Sequence, residues 1–285
     1  MSDWPELPYE AWRDTRDTLH MYLQIVGKVR LALAPMEPQW GQVPLYVTAR
    51  GLNTSPIPHE NSVFDIDVDF TAHTVSVRTV AGALERVTLE PRSVADFYAL
   101  LLGTLERAGV PTAITERPSE VPDPIPFPED MLHASYEPEW ANRFWRTLVS
   151  VDSVMKEHRA RFLGRVSPVQ FFWGTFDLAY TRFSGRPAEP PLGADVIMRN
   201  AANAEETCAG FWPGDARLSE PAFFSYAYPA PPGIETRAAS WNTELGEFVL
   251  PYEAVRTAAD PRRVLLDFLD STYLAAGWDP ALEAK

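Results

Sequence analysis

The chain has 285 residues, of which 46% are hydrophobic and 12% aromatic, so it can build one large domain or two modest ones and is not expected to be disordered. Its formal net charge is −14. Because phosphate binding requires a basic surface, nucleic acid is not an expected partner.

A single cysteine, Cys208, excludes an intrachain disulfide and a zinc site built from cysteines. We expect its thiol to be small and buried rather than nucleophilic, since Glu205 and Glu206 nearby would raise its pKa. The first residues lack the basic and apolar stretches of a secretory leader, and no run of about 18 apolar residues would span a bilayer. We therefore predict a cytoplasmic protein with no membrane partner.

Residues 8–33 predict a long helix, because their apolar residues fall near one helical stripe. A strand over 19–31 is the alternative, since apolar residues also occupy many alternate positions. Both interpretations put His20, Gln24 and Lys28 on one face, because a spacing of four suits either period.

The next segments indicate an antiparallel meander followed by a helix. Their β-branched and alternating patterns predict strands at 43–51, 63–70, 74–80 and 85–91. Residues 93–110 predict a helix with Ser93 as its N-cap and Gly109 at its end.

The strand at 63–70 carries Asp65, Asp67 and Asp69 on one face. Neighbouring carboxylates on that face are about 6.8 Å apart, twice the rise per residue, which is too far for one cation without help from other elements. A solvated outer face is the favoured interpretation, and a cation site is the alternative.

The second half shows a similar order of elements. Residues 137–164 predict an amphipathic helix, and a last helix begins with Asp260 as its cap and Pro261 at its first position. Between them the patterns predict strands at 170–183, 207–212, 222–228 and 246–251.

These elements predict an α+β fold of mainly antiparallel sheet flanked by helices, with two similar helix–strands–helix halves as a possibility. Prolines concentrate between the halves, where they cannot continue a helix or a sheet ladder. We predict an N-terminal half at 1–117, a connector at 118–136 and a C-terminal half at 137–285, packed into one unit.

The segment 170–183, read as one strand, suggests a pocket wall. Phe172, Phe176, Leu178 and Tyr180 would face the core, whereas Trp173 and Asp177 would share the other face with small polar residues. An aspartate in mid-strand is disfavoured, and if buried it needs a partner. Two interpretations stay open, a buried pair of Asp177 with an arginine and a role facing a ligand.

The remaining candidates complete a hypothetical small-molecule site. Arginine suits bidentate capture of an anionic group, and the candidates for this role are Arg50, Arg182 and Arg186. Asp177 and Glu205 are the candidate acid–base residues. The predicted lining consists of His20, Gln24, Lys28, Gln170, Trp173 and Trp212. No cofactor is predicted, because nucleotide-binding and metal-binding motifs are missing.

Seven segments, in order along nearly the whole chain, resemble the DUF5996 family, a bacterial group of unknown function. They include "VPLYVTARGLNTSPIP", "HASYEPEWANRFW", "SPVQFFWGTFDLAYTRFSGR" and "GEFVLPYEAVR". The resemblance implies histidines at the positions that Gln39, Gln42, Gln170 and Ala204 hold here. It therefore implies a metal site in typical members and its loss in this chain, since glutamine is a poor ligand for transition metals and alanine is none.

Two functions follow from the sequence. The first is a metal-independent small-molecule enzyme with a polar and aromatic pocket, whose reaction the residues do not select. The second is a ligand-binding or regulatory protein without catalysis, derived from a metal-binding family. If the four substituted positions line one polar cavity with perturbed carboxyls, catalysis is favoured. The oligomeric state cannot be predicted.

Overall fold

The computed structural model describes residues 4–238 and 241–278. In these residues, six α-helices flank two six-stranded antiparallel sheets, so the predicted α+β class is confirmed. No helix in either described range is both long enough and apolar enough to cross a membrane.

The first half contains one helix before the first sheet and one after it. These are α1 (Tyr9–Leu33) and α2 (Val94–Arg107), and the helical interpretation of 8–33 is thereby confirmed. Ser93 caps α2 by accepting a hydrogen bond from the Asp96 amide at 3.1 Å. The strands of the first sheet are β1 (Tyr46–Val47), β2 (Gly51–Asn53), β3 (Ile57–His59), β4 (Ser62–Asp69), β5 (Thr74–Thr79) and β6 (Leu84–Thr88).

The first sheet has the order β1-β2-β4-β5-β6, and β3 also pairs with β4. The single strand predicted at 43–51 is wrong, because residues 48–50 form a turn between β1 and β2. Gly51 permits the close approach to β4, since a Cβ there would lie 1.8 Å from the Val68 carbonyl oxygen.

The second half repeats the order of helix, strands and helix. Its helices are α3 (Pro138–Ala160), α4 (Val196–Ala201), α5 (Tyr252–Arg256) and α6 (Pro261–Ala275). The strands of the second sheet are β7 (Gln170–Phe172), β8 (Asp177–Pro187), β9 (Ala204–Trp212), β10 (Ala222–Tyr228), β11 (Trp241–Asn242) and β12 (Glu247–Pro251). The strand order is β11-β12-β10-β9-β8-β7, which differs from that of the first sheet.

The two sheets meet where Leu45 and Phe171 exchange backbone hydrogen bonds of 2.9 and 2.8 Å. One hydrophobic cluster runs through both halves and includes residues of α1, α2, α3 and α6. On the second sheet, Leu178, Phe211 and Phe223 are fully buried in this cluster. Helices α3, α5 and α6 therefore pack against one face of that sheet, and the opposite face is available for a site.

The hairpin of β7 and β8 corrects the prediction of one strand over 170–183. Residues 173–176 form the turn, and Phe176 lies there with a φ of 63°. Phe172 pairs directly with Asp177 and Phe171 with Leu178, so Phe172 shares the face of Asp177. The assignment of Phe172 to the core was wrong, because the turn reverses which side each residue faces.

Candidate functional site

A cavity of about 600 Å³ lies over the uncovered face of the second sheet. Its floor is built from alternate residues of β8, β9, β10 and β12, because successive side chains of a strand point to opposite faces. The polar floor residues are Asp177, Thr181, Glu206, Cys208, Tyr226 and Glu247. Its aromatic lining is Trp40, Phe172, Trp173, Trp212, Phe223, Phe224, Tyr226 and Tyr228.

The connection between β8 and β9 covers part of the cavity. Ile197 and Met198 of α4 line it from this side. The Trp40 indole nitrogen donates to the Ile197 carbonyl oxygen at 2.9 Å, which ties this cover to the segment after α1. The cover and the floor thus come from elements far apart in sequence.

Strand register fixes the layout of the floor. Thr181, Cys208 and Tyr226 are directly opposite one another on β8, β9 and β10. Asp177 lies on one side of this row, and Glu206, which is opposite Phe183, lies on the other. Six residues of strand correspond to about 20 Å of backbone. The two carboxyls therefore belong to opposite ends of the floor.

Asp177 is buried at one end of the floor, with 8% of its surface exposed. Its pKa is raised to about 7, mainly by burial and also by the charges of Glu120 and Glu247, while the Thr175 hydroxyl, which donates to Oδ1, acts in the opposite direction. The carboxyl is therefore poised to change its ionisation near neutral pH.

Glu206 occupies the other end and is only 6% exposed. Burial raises its pKa to about 8, while Arg165 acts in the opposite direction. Within the described residues its carboxyl has no hydrogen-bond or ion-pair partner. Burial without a partner disfavours the ionised carboxylate, which accounts for the raised pKa.

Two further carboxyls reach the cavity. Burial raises the pKa of Glu247 to about 7, and Arg217 lowers it. Burial and Asp195 raise the pKa of Glu120, whose side chain packs over Gly174. The cavity is thus strongly acidic in composition.

Cys208 lies between the two ends of the floor. Burial, together with Glu206, raises the pKa of its thiol to about 12. The thiol is therefore protonated at neutral pH and lacks the thiolate character of a nucleophile.

The predicted lining residues His20, Gln24 and Lys28 lie behind the cavity wall rather than in it. His20 Nε2 is 3.0 Å from the carbonyl oxygens of both Trp173 and Gly174. Burial lowers its pKa to about 3, so the ring is neutral. These contacts hold the turn that supplies Trp173 to the cavity.

Gln24 and Lys28 hold a second piece of the wall. The Gln24 side-chain amide donates to the Ser119 carbonyl oxygen at 2.7 Å and accepts from the Ser119 amide at 2.8 Å. Lys28 Nζ donates to the hydroxyls of Thr115 at 2.9 Å and Ser119 at 3.0 Å. Because Ser119 and Glu120 line the cavity, this face of α1 positions its acidic wall.

Trp173 and Trp212, both predicted as lining, do line the cavity. The Trp173 indole packs against α1 at Gly27, where a Cβ would lie 2.1 Å from its nitrogen. That nitrogen donates to the Val43 carbonyl oxygen at 2.8 Å. The side chain is thus fixed between the two halves of the chain.

The three predicted anion-binding arginines lie elsewhere. Arg50 is paired with Asp69 at 3.4 Å. Arg182 is buried on the other face of β8, where it donates to the His158 carbonyl oxygen at 2.5 Å. Arg186 is paired with Glu205 at 2.5 Å. None of the three is a lining residue, so the structure gives no support to an anion site in the cavity.

Glu205 and Gln170 also lie outside the lining. Glu205 is adjacent to Glu206 on β9 and therefore faces the other way. Gln170 is buried and donates to the Tyr46 hydroxyl at 3.4 Å, a long contact. Glu205 was thus predicted from the sequence, whereas the structure puts Glu206 in the cavity. Alternation along β9 could have identified Glu206, because it is an even number of residues from the predicted lining residue Trp212 and so faces the same side.

Of the four positions where the resemblance implies histidine, only Gln39 lines the cavity. Gln42 accepts from the Glu37 amide at 3.0 Å, and Ala204 begins β9 next to Asn203, which bonds to Gln39. In the described ranges no three His, Cys, Asp or Glu residues are grouped closely enough to hold a metal ion.

Comparison with known proteins gives one finding. The family model described as "Family of unknown function (DUF5996)" matches residues 4–283, which is nearly the whole chain. Neither the curated proteins nor the solved structures contain a match.

Proposed function

The chain belongs to DUF5996, a family of unknown function, and from the geometry of its cavity we propose that it is a small-molecule enzyme using Asp177 and Glu206 as acid–base groups. The observation that carries this proposal is that both carboxyls are buried on the floor of one cavity. Buried carboxyls with perturbed pKa values in a concave site are typical of catalytic centres.

The raised pKa values, about 7 for Asp177 and about 8 for Glu206, match this role. A carboxyl that titrates near the working pH accepts a proton as the carboxylate and returns it as the acid. Because the two groups lie at opposite ends of the floor, each would exchange a proton with its own end of a ligand.

Binding without catalysis is the second candidate. It is favoured by the scatter of the substituted positions, since Gln42, Gln170 and Ala204 do not line the cavity. In this case the cavity would sense or carry a ligand, and the acidic floor would set its selectivity.

A thermal-shift screen of small metabolites at pH 7.5, followed by mass spectrometry of each stabilising compound with the protein, separates the two candidates. A ligand that binds only the folded state raises the melting temperature. We expect at least one compound to be converted, with a loss of at least about 100-fold in Asp177→Asn or Glu206→Gln. Binding without conversion would support the second candidate, and no stabilisation by any compound would contradict both.

A further inference from the structure

We propose that the cavity binds an organic cation, an amine or guanidinium group on an apolar or aromatic body, whose charge pairs with Glu206. This inference rests on the proposed use of the cavity as the ligand site and adds the chemical class of the ligand.

The Glu206 carboxyl has hydrogen-bonding capacity that the described residues do not use. Its side chain is more than nine-tenths buried, it faces the cavity, and no described group donates a hydrogen bond to it. An ionised carboxyl has room for about four hydrogen bonds. An ammonium or guanidinium group supplies donors and the opposite charge together, which is the strongest pairing available to a carboxylate.

The other ionisable side chains that line the cavity are mostly acidic. Glu120, Asp177 and Glu247 are the other ionisable acids of the cavity. Arg217 is the one basic residue among the described lining residues, and it is exposed and bound to Asp215 at 2.8 Å. At pH 8, above the pKa of about 7 of Asp177 and Glu247, an anionic ligand would therefore meet charges of its own sign, which costs free energy in a poorly solvated cavity.

The cavity also has an aromatic surface that can attract a cation. Trp173 and Trp212 line the cavity, and aromatic faces attract cations within about 6 Å. Arg217 already uses this attraction, since its guanidinium carbon lies 5.3 Å from the Trp212 ring centre. The same rings would bury the apolar body of the ligand.

The spacing of the carboxyls favours an organic cation over a metal ion. A bound metal ion needs several ligand atoms at one point. Asp177 and Glu206 are six residues of strand apart, and no described cluster of three ligand-type residues exists. A single carboxylate, in contrast, can pair with a protonated amine.

The ionisation state of Glu206 should make the affinity for amines depend on pH. Among the described residues the charged group that acts on Glu206 is Arg165, which lowers its pKa. Glu206 in turn raises the pKa of the neighbouring Cys208 and Tyr226, both of which are neutral between pH 6 and pH 9. At the other end, Glu120 and Glu247 act on Asp177, and Arg217 acts on Glu247. Since a cation pairs with the ionised form, affinity for amines should rise from pH 6 to pH 9, where alkylamines of pKa about 10 stay charged.

The test uses matched compounds that differ only in charge. The wild-type chain is titrated at pH 8 with tryptamine, tryptophol and indole-3-propionate, and with the amine, alcohol and carboxylate on a phenylethyl and on an unbranched six-carbon body. Dissociation constants come from calorimetry. We expect an amine to bind most tightly in at least one set, and at least tenfold more tightly than its carboxylate.

Two variants complete the test. Glu206→Gln should weaken amine binding at least tenfold, whereas Glu205→Gln, next to it on the opposite face and paired with Arg186 at 2.5 Å, should leave binding unchanged. Tightest binding by the alcohols or carboxylates, equal loss in both variants, or no binding by any amine would overturn the inference. The proposed enzymatic use of the cavity is judged separately, by conversion in the metabolite screen.

Discussion

Both sheets carry acidic side chains on one face, but their surroundings differ. On β4, Asp67 accepts a hydrogen bond from Asn53 at 2.8 Å, and Asp69 accepts from the Thr71 and Ala72 amides at 2.8 Å and pairs with Arg50. Asp65, the third acid of this face, has its Oδ1 buried without a hydrogen-bond partner among the described residues, so the difference from the second sheet lies in Asp67 and Asp69. On β9, Glu206 has no partner within the described chain and lies 94% buried, since 6% is exposed. Partnered carboxylates stabilise a fold, whereas a buried one without a partner costs stability that a ligand can restore.

The largest expected effect is that of Glu206→Gln on stability at alkaline pH. The folded pKa of about 8 exceeds the ordinary value of 4.5, so the contribution of Glu206 is fully present below about pH 4 and is lost as pH rises through 8. The variant does not ionise there. The free energy of unfolding of the variant should therefore exceed that of the wild type by an amount that grows with pH. Between pH 5 and pH 8 this difference should grow by at most roughly 1.4 kcal/mol for each pH unit.

Urea denaturation of both proteins at pH 5, 7 and 9 measures this difference. Glu205→Gln is the matched control, because it changes the neighbouring carboxyl on the opposite face, whose ion-pair partner Arg186 is 68% exposed, and it is expected to change stability by less than about 1 kcal/mol. Equal stability of Glu206→Gln and wild type at pH 9 would show that the carboxyl is solvated or paired.

The next largest effect on stability is expected from the contacts by which α1 holds the cavity wall at Ser119 and Glu120. Gln24→Ala removes both hydrogen bonds to the Ser119 backbone, 2.7 and 2.8 Å long, and leaves those groups without their partner. We expect a loss of about 2–3 kcal/mol in unfolding free energy and faster amide exchange at Ser119 and Glu120. Unchanged exchange there would mean that α1 does not position this wall.

Asp69→Asn, which removes a partnered carboxylate of β4, gives the smallest effect on stability, and this effect depends on pH in the opposite direction. Burial alone would raise the pKa of Asp69, but the hydrogen bonds from Thr71 and Ala72 and the charge of Arg50 lower it overall. Its contribution is present above the ordinary pKa and is lost as pH falls through the lowered value. The variant should be about 1 kcal/mol less stable than wild type at pH 7, with the gap closing on acidification below about pH 4. A difference in unfolding free energy that grows as the pH falls would contradict the contrast between Asp69 and Glu206.

The sequence predicted most elements because their local signals agree. Ser93 and Asp260 act as caps as expected, and the alternation on β4 buries Phe64, Ile66 and Val68. The turn inside 170–183 was missed, because its residues have strong strand propensity and the chain reverses only in the context of the sheet. β3 and α4 were also missed, since both are short and depend on tertiary contacts.

Part of the site was predictable and part was not. Alternation put Asp177 on the face that lines the cavity, whereas Trp173, predicted on the same face, reaches the cavity from the turn rather than from a strand. The row of His20, Gln24 and Lys28 was recognised as one face of α1, but sequence alone cannot show that it supports the wall at Ser119 rather than facing a ligand. Pairing between distant elements, such as Arg50 with Asp69, likewise requires the fold.

The most direct test of the central claim is the titration of Glu206 itself. Carboxyl carbons of ¹³C-labelled glutamate are followed by NMR from pH 4 to pH 10, with Glu206→Gln to assign the signal, in the absence and presence of tryptamine. The account predicts a midpoint near pH 8 for the free protein, since burial raises the pKa to about 8. It also predicts a lower midpoint with the amine bound, because a cation favours the ionised carboxyl. A midpoint near the ordinary 4.5 in the free protein, or one that the amine raises, would contradict it.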